Sequence, residues 1–66
     1  MSEELQNSAY EMSFCGNYLV QYAAAFNWSN EKGTQRYMLK EMLAFADRVK
    51  AAADIIRAEI DKGGAD

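Results

Sequence analysis

Aromatic residues recur at four-residue intervals through the first half of the chain: Tyr10, Phe14, Tyr18, Tyr22 and Phe26. Residues four apart lie on the same face of an α-helix, so these rings would form one continuous ridge. Each four-residue step turns a helix by about 400°, so the ridge shifts by about 40° at every ring and winds around the helix. The pattern therefore predicts a helix that carries apolar side chains on several sides.

A second apolar line has a seven-residue spacing and consists of Leu5, Met12, Leu19 and Phe26. The two lines predict a first helix from about residue 3 to about residue 26. Ser2 is a favourable N-cap, and the carboxylates of Glu3 and Glu4 suit the positive end of the helix dipole. Apolar groups on so many sides exceed what one small partner helix can cover.

Small residues form a third line on this helix, at Ala9, Gly16 and Ala23. A glycine inside a helix costs about 1 kcal/mol relative to alanine, which suggests that another backbone approaches closely at Gly16. The alternative is that this glycine is simply tolerated.

The segment from residue 27 to residue 33 is the turn-rich break in a chain that contains no proline. Two starts are predicted for the second helix, because two places offer a good N-cap residue. An early start uses Ser29 or Asn30 and leaves Gly33 in the first turn, whereas a late start uses Thr34.

The second helix is predicted to end at about residue 61, with Lys62, Gly63 and Gly64 as a stop signal and a frayed tail over residues 63–66. Its apolar positions follow the wide stripe of a bundle helix: Met38, Leu39, Met42, Phe45, Ala46, Val49, Ala52, Ala53, Ile56 and Ile60. Its other face alternates in charge, which is typical of a solvated surface: Asp47, Lys50, Asp54, Arg57 and Asp61.

Two long helices joined by a short break predict an all-α fold, an antiparallel two-helix hairpin that forms a single domain over residues 1–66. A core this small is marginal without a further staple, and Cys15, the only cysteine, has no partner for an intrachain disulfide. We therefore expect a dimeric four-helix bundle, or a higher helical oligomer, with the first helix at its centre. The expected interface residues are Tyr10, Phe14, Tyr18, Leu19, Tyr22 and Phe26.

Charge and composition exclude several classes of function. The net charge of −3 gives no overall attraction for nucleic acid or an acidic membrane, and no run approaches the roughly 20 apolar residues of a membrane span. The acidic, polar start shows no signal peptide, so a cytoplasmic location is expected. Without histidine the chain has no Ser-His or Cys-His pair, and Cys15 alone cannot build a zinc site. We expect no catalysis, no cofactor and no metal.

One basic cluster offers an alternative function. Lys32, Arg36 and Lys40 are four residues apart, close to Trp28 and Tyr37, and the start of a helix attracts anions. They could hold a nucleotide, with its base stacked on one of the two rings, at the start of helix 2 or between subunits. Basic residues in a solvated first turn are the plainer interpretation, and RNA binding is a third.

The preferred hypothesis is a small non-enzymatic interaction protein that acts as a helical homo-oligomer and binds another protein. Many free-standing chains of this size are regulators or inhibitors, including phage-encoded and bacterial ones. The aromatic ridge is expected to be core, subunit interface or docking surface, because tyrosine suits all three. No residue motif places the chain in a family or identifies its partner.

Overall fold

The chain folds into two α-helices that pack against each other as an antiparallel hairpin. The computed structural model describes residues 2–63, with α1 at Glu3–Phe26 and α2 at Lys32–Lys62. The predicted all-α hairpin is confirmed. The predicted single domain stays a prediction, and the residues of the predicted tail after Gly63 lie outside the described part of the chain.

Helix α1 begins where its capping residue predicted. The Ser2 hydroxyl oxygen accepts a hydrogen bond from the backbone N–H of Leu5 at 3.0 Å, and Glu3 and Glu4 occupy the first turn. At the other end the backbone N–H of Trp28 donates to the carbonyl of Ala25 at 3.1 Å. The chain then leaves the helix after Phe26, which is the predicted last residue.

Helix α2 begins at neither predicted start. Its N-cap is Glu31, whose backbone is extended and whose side chain makes no capping hydrogen bond. The loop is held instead by Gln35, whose side-chain amide donates to the carbonyl of Ser29 at 2.8 Å. Gly33 lies in the first turn, as the earlier start implied, and the helix ends at Lys62 with Gly63 as its C-cap.

Buried and half-buried residues follow alternating three- and four-residue steps along both helices, which is the pattern of a coiled-coil seam. The seam positions of α1 are Leu5, Ser8, Met12, Cys15, Leu19, Tyr22 and Phe26, and those of α2 are Gln35, Met38, Met42, Phe45, Val49, Ala52 and Ile56. The line of residues predicted at seven-residue spacing in α1 therefore faces α2.

The seam has two unlike halves. Near the ends of the chain, within residues 2–63, the seam buries three small side chains, Ser8, Cys15 and Ala52, between larger ones that are half-buried: Leu5, Met12, Val49 and Ile56. We call this the terminal half. Towards the loop it contains larger side chains, such as Tyr22 and Phe45, that are only half-buried. We call this the turn half.

The close approach suggested for Gly16 does not occur within the hairpin. Leaving aside Gly16, its two chain neighbours and the adjacent backbone of α1, no heavy atom of the described residues lies within 4 Å of the position that a Cβ would take there. Cys15 and Leu19 carry the seam at this level. The line of small residues at Ala9, Gly16 and Ala23 runs along the margin of the seam, with Ala9 exposed.

The hairpin is a thin rod that leaves much of its surface uncovered. It measures 51 × 14 × 13 Å and has a radius of gyration of 15.2 Å, against about 11 Å for a compact chain of this length. Its accessible surface is 5209 Å², whereas a compact monomer of this mass exposes about 4200 Å². About 1000 Å² of extra surface is therefore available for further packing.

Candidate interaction surfaces

Rings from both helices lie together along one side of the hairpin, and Tyr10 extends their row along α1. We call these six residues the aromatic face: Tyr10, Phe14, Tyr18, Tyr22, Tyr37 and Phe45. The predicted winding of the ridge explains how its rings are exposed. Tyr10 is 75% exposed, Phe14 55% and Tyr18 41%, while Tyr22 is half-buried against α2. Of the predicted interface residues, Tyr10, Phe14 and Tyr18 lie outside the seam, and Leu19, Tyr22 and Phe26 lie within it.

The rings of the aromatic face are packed on one another. The Phe14 and Tyr18 centroids are 5.0 Å apart, and the Tyr18 ring stacks on Phe45 at 5.3 Å with an interplanar angle of 9°. The Tyr22 centroid lies 6.0 Å from that of Phe45, and the Arg48 guanidinium lies 5.9 Å above the Phe45 ring. Such contacts fix the rings in place, so the face is preorganised for another surface.

Tyr37 belongs to the aromatic face. Its hydroxyl lies beside that of Tyr22, and this interaction, followed by desolvation, raises the pKa of Tyr22. The sequence suggested that Tyr37 could stack a nucleotide base held by the basic cluster. The Tyr37 side chain is 56% exposed, and stacking of a base on it stays a prediction.

A polar cluster that the sequence did not reveal crosses the seam beside the aromatic face. One oxygen of Glu11 accepts hydrogen bonds from the Cys15 thiol at 3.0 Å and from the Arg48 guanidinium at 2.5 Å. These two bonds lower the pKa of Glu11. Burial, and secondly the bond to the carboxylate, raises the pKa of Cys15. Burial and the raised pKa both disfavour the reactive thiolate form of Cys15.

An open groove continues the aromatic face towards the ends of the chain, and we call it the terminal groove. Its apolar lining consists of the small side chains Ala51 and Ala52 together with Ile55. Acidic and polar residues border it: Glu3, Glu4, Asn7, Ser8, Glu11 and Arg48. A row of protruding rings thus lies next to a groove with small residues in its lining.

The basic cluster lies on the other side of the hairpin. Leu39 follows Tyr37 by two residues, which turns the helix by about 200°. Leu39 and Leu43 are 50% and 58% exposed, although Leu39 was predicted to lie in the buried stripe. Two shallow grooves share Leu39 and Arg36. We call this surface the basic patch: Phe26, Lys32, Arg36, Leu39, Lys40 and Leu43.

A carboxylate and an exposed ring lie beside the basic patch, where a nucleotide site was predicted. The Glu31 carboxylate folds over the first turn of α2, with one oxygen 3.5 Å from where a Cβ of Gly33 would lie. A negative charge therefore occupies the helix start that a phosphate would approach. Trp28 lies in the loop, where it is almost fully exposed. Nucleotide binding by Lys32, Arg36 and Lys40 remains a prediction.

Within residues 2–63, no three potential metal-ligating side chains come together, and neither helix combines the length and apolar character needed to cross a membrane. Comparison with protein families, with curated proteins and with solved structures found no match.

Proposed function

We propose that this chain is a non-enzymatic interaction protein that works as a homodimer, formed when the aromatic faces of two hairpins meet in a four-helix bundle. The uncovered aromatic face is the observation that carries this proposal. Three of its rings, Tyr10, Phe14 and Tyr18, keep 41% to 75% of their surface in water. Each aromatic side chain removed from water contributes roughly 1.5–3 kcal/mol.

The exposed surface area of the hairpin supports a partner as large as a second hairpin. The hairpin exposes about 1000 Å² more than a compact monomer of its mass. A standard protein interface buries about 800 Å² on each partner. A second hairpin along one side of the rod would therefore bring the exposed surface into the usual range.

The shape of this side supports a second copy in particular. A two-fold dimer brings the same patch of both chains together, so a protrusion on one must meet a recess on the other. The aromatic face is a protrusion and the terminal groove is the adjacent recess. An antiparallel arrangement places each row of rings in the opposite groove, where tyrosine hydroxyls can donate to the carboxylates of Glu3 and Glu4.

Two features support a non-enzymatic role. The chain contains no histidine, and its one thiol is buried with a raised pKa. We extend the proposal to regulation or inhibition of another protein, since a stable bundle of this size acts by presenting a surface.

The test is the mass of the particle by light scattering over a range of concentrations. The wild-type protein should scatter as twice 7.4 kDa, and Phe14→Ser should dissociate it. Val20→Ser is the matched control, because Val20 is an exposed apolar residue of α1 that is not part of the aromatic face. A wild-type chain that stays monomeric at high micromolar concentration, or a Phe14→Ser dimer as stable as the control, would refute the proposal.

A further inference from the structure

We infer that the basic patch is a docking site for an acidic amphipathic helix of a partner protein. This inference rests on the proposed function as an interaction protein and adds the surface and the chemistry of the partner. Leu39 and Leu43 lie on the side of α2 that is turned away from Tyr37 of the aromatic face, so dimer formation leaves this part of the patch accessible.

The apolar part of the patch has the spacing that recognises a helix. Leu39 and Leu43 are one turn apart on α2 and more than half of their combined surface is in water. Phe26 forms the edge of the adjoining groove next to Leu39. An amphipathic helix binds such a surface with apolar residues at positions i, i+4 and i+7.

The charge of the patch selects an acidic partner. Lys32, Arg36 and Lys40 are three of the seven cationic residues of a chain whose net charge is −3. Elsewhere Arg48 and Lys50 are paired with carboxylates, whereas Arg57 and Lys62 form no ion pair among the described residues. Within residues 2–63 the three cations of the patch form no ion pair. Their charge is available to a ligand, and it lies beside the exposed leucines.

The geometry favours a helix over a small anion. The three cations form a line about 12 Å long on α2, since each residue advances a helix by about 1.5 Å. The two leucines run parallel to that line. A docked helix would place its apolar stripe on the leucines and its acidic flank on the cations. Asp47 borders the patch and Glu31 covers the helix start, so these two carboxylates limit the site at its ends.

The experiment measures fluorescence anisotropy of a labelled synthetic helix with leucines at i, i+3, i+4 and i+7 and glutamates on its flanks. A scrambled peptide of the same composition and a peptide with lysine in place of glutamate are the ligand controls. Binding to the wild-type protein should weaken as salt is raised, because charges at the rim are screened.

Four variants localise the site. Arg36→Glu/Lys40→Glu should weaken binding by roughly tenfold or more, because two attractions become repulsions. Leu39→Ser/Leu43→Ser should weaken it similarly, while the control Lys50→Glu/Arg57→Glu changes two cations outside the patch and should leave affinity within roughly twofold. Asp47→Asn should strengthen binding. Light scattering on every variant should show the same particle mass as that of the wild-type protein.

The possible outcomes separate this inference from the proposed function. Equal binding of the scrambled or lysine peptide, or equal loss in the control variant, would overturn the docking site. So would a mass that falls in Leu39→Ser/Leu43→Ser, because the patch would then be an interface between copies. Binding to anionic vesicles or RNA but not to the peptide would also overturn it. A monomeric chain that still binds the peptide would refute the dimer alone.

Discussion

The terminal half and the turn half of the seam differ in the size of the side chains packed most centrally between α1 and α2. In the terminal half, the small residues Cys15 and Ala52 are 0% and 3% exposed. In the turn half, Tyr22 and Phe45 share their rings between the seam and the aromatic face. Two helices alone can enclose a small side chain, but a ring in the same position extends beyond the edge of the contact.

This difference shows where the hairpin is complete and where it is not. The terminal half buries its small side chains between the two helices alone, although its larger seam residues, such as Leu5 and Ile56, are half-buried. The turn half and the rings beside it leave apolar surface that a third or fourth helix would cover. The proposed dimer thus follows from the size of the seam residues rather than from their hydrophobicity alone.

The largest expected effect is the loss of a ring from the turn half. Phe45→Ala removes the stacking contact with Tyr18 and the contact with Tyr22, and should destabilise the protein by about 2–3 kcal/mol, below the usual core value because the ring is only half-buried. Urea denaturation at a fixed protein concentration measures this change. Leu43→Ala, a truncation on the exposed side of α2, should change stability by less than about 0.5 kcal/mol. Equal effects would contradict the role of Phe45.

Enlarging a side chain tests the terminal half. Ala52→Leu adds three carbon atoms to a buried position and should destabilise the hairpin by about 1–3 kcal/mol, because the seam must open to admit them. Ala58→Leu is the matched control, since Ala58 is exposed on the same helix. Thermal denaturation of both variants decides the question. If the two substitutions were tolerated alike, the terminal half would not be closely packed.

A substitution at the margin of the seam should raise the stability of the hairpin, whereas the two substitutions above should lower it. Gly16→Ala places a methyl group where no heavy atom lies within 4 Å, and it should stabilise α1 by up to about 1 kcal/mol. Thermal denaturation should show the gain, and light scattering should show no change in mass. A loss of stability or of dimer would mean that a second hairpin packs on Gly16, and the dimer would then use a different side.

The smallest expected effect concerns Glu11, whose ion pair with Arg48 is solvent-exposed. Its pKa is lower in the folded chain than in the unfolded one. Its stabilising contribution is therefore complete above the unfolded pKa and is lost as the pH falls through the folded pKa. Urea midpoints of the wild type and of Glu11→Gln should differ at pH 7 and converge in acid. A constant difference between the two midpoints would contradict this linkage.

Asp54 provides a control for that measurement. Its pKa is also lowered, by its hydrogen bond to Lys50 on the exposed face of α2. Asp54→Asn should leave the convergence attributed to Glu11 in place. If it removed that convergence, the pH dependence would come from the outer face of α2 and not from the seam.

Local signals in the sequence were sufficient for the bounds of α1 and for the winding of its ridge. Ser2 marks the start of the helix through a hydrogen bond that depends only on neighbouring residues. The shift of about 40° at each ring follows from the helical period alone. Which end of the ridge faces α2 does not follow from it, and the structure shows that Tyr22 is half-buried and Tyr10 exposed.

Features that depend on the alignment of the two helices could not be predicted. Glu11 and Arg48 are far apart in sequence, and their pairing requires the register of the antiparallel contact. The start of α2 at Lys32 was missed because its N-cap, Glu31, makes no side-chain capping hydrogen bond and so gives no capping signal in the sequence. Ser8 was not expected in the seam, because a polar side chain there gives no apolar signal.

The buried thiol of Cys15 also provides a kinetic probe of the hairpin. An alkylating reagent can reach this thiol only when α1 and α2 separate. The rate of its modification in native buffer therefore reports how often the two helices separate. Since the unfolded thiol regains an ordinary acidity, each opening is captured at a rate set by free cysteine chemistry.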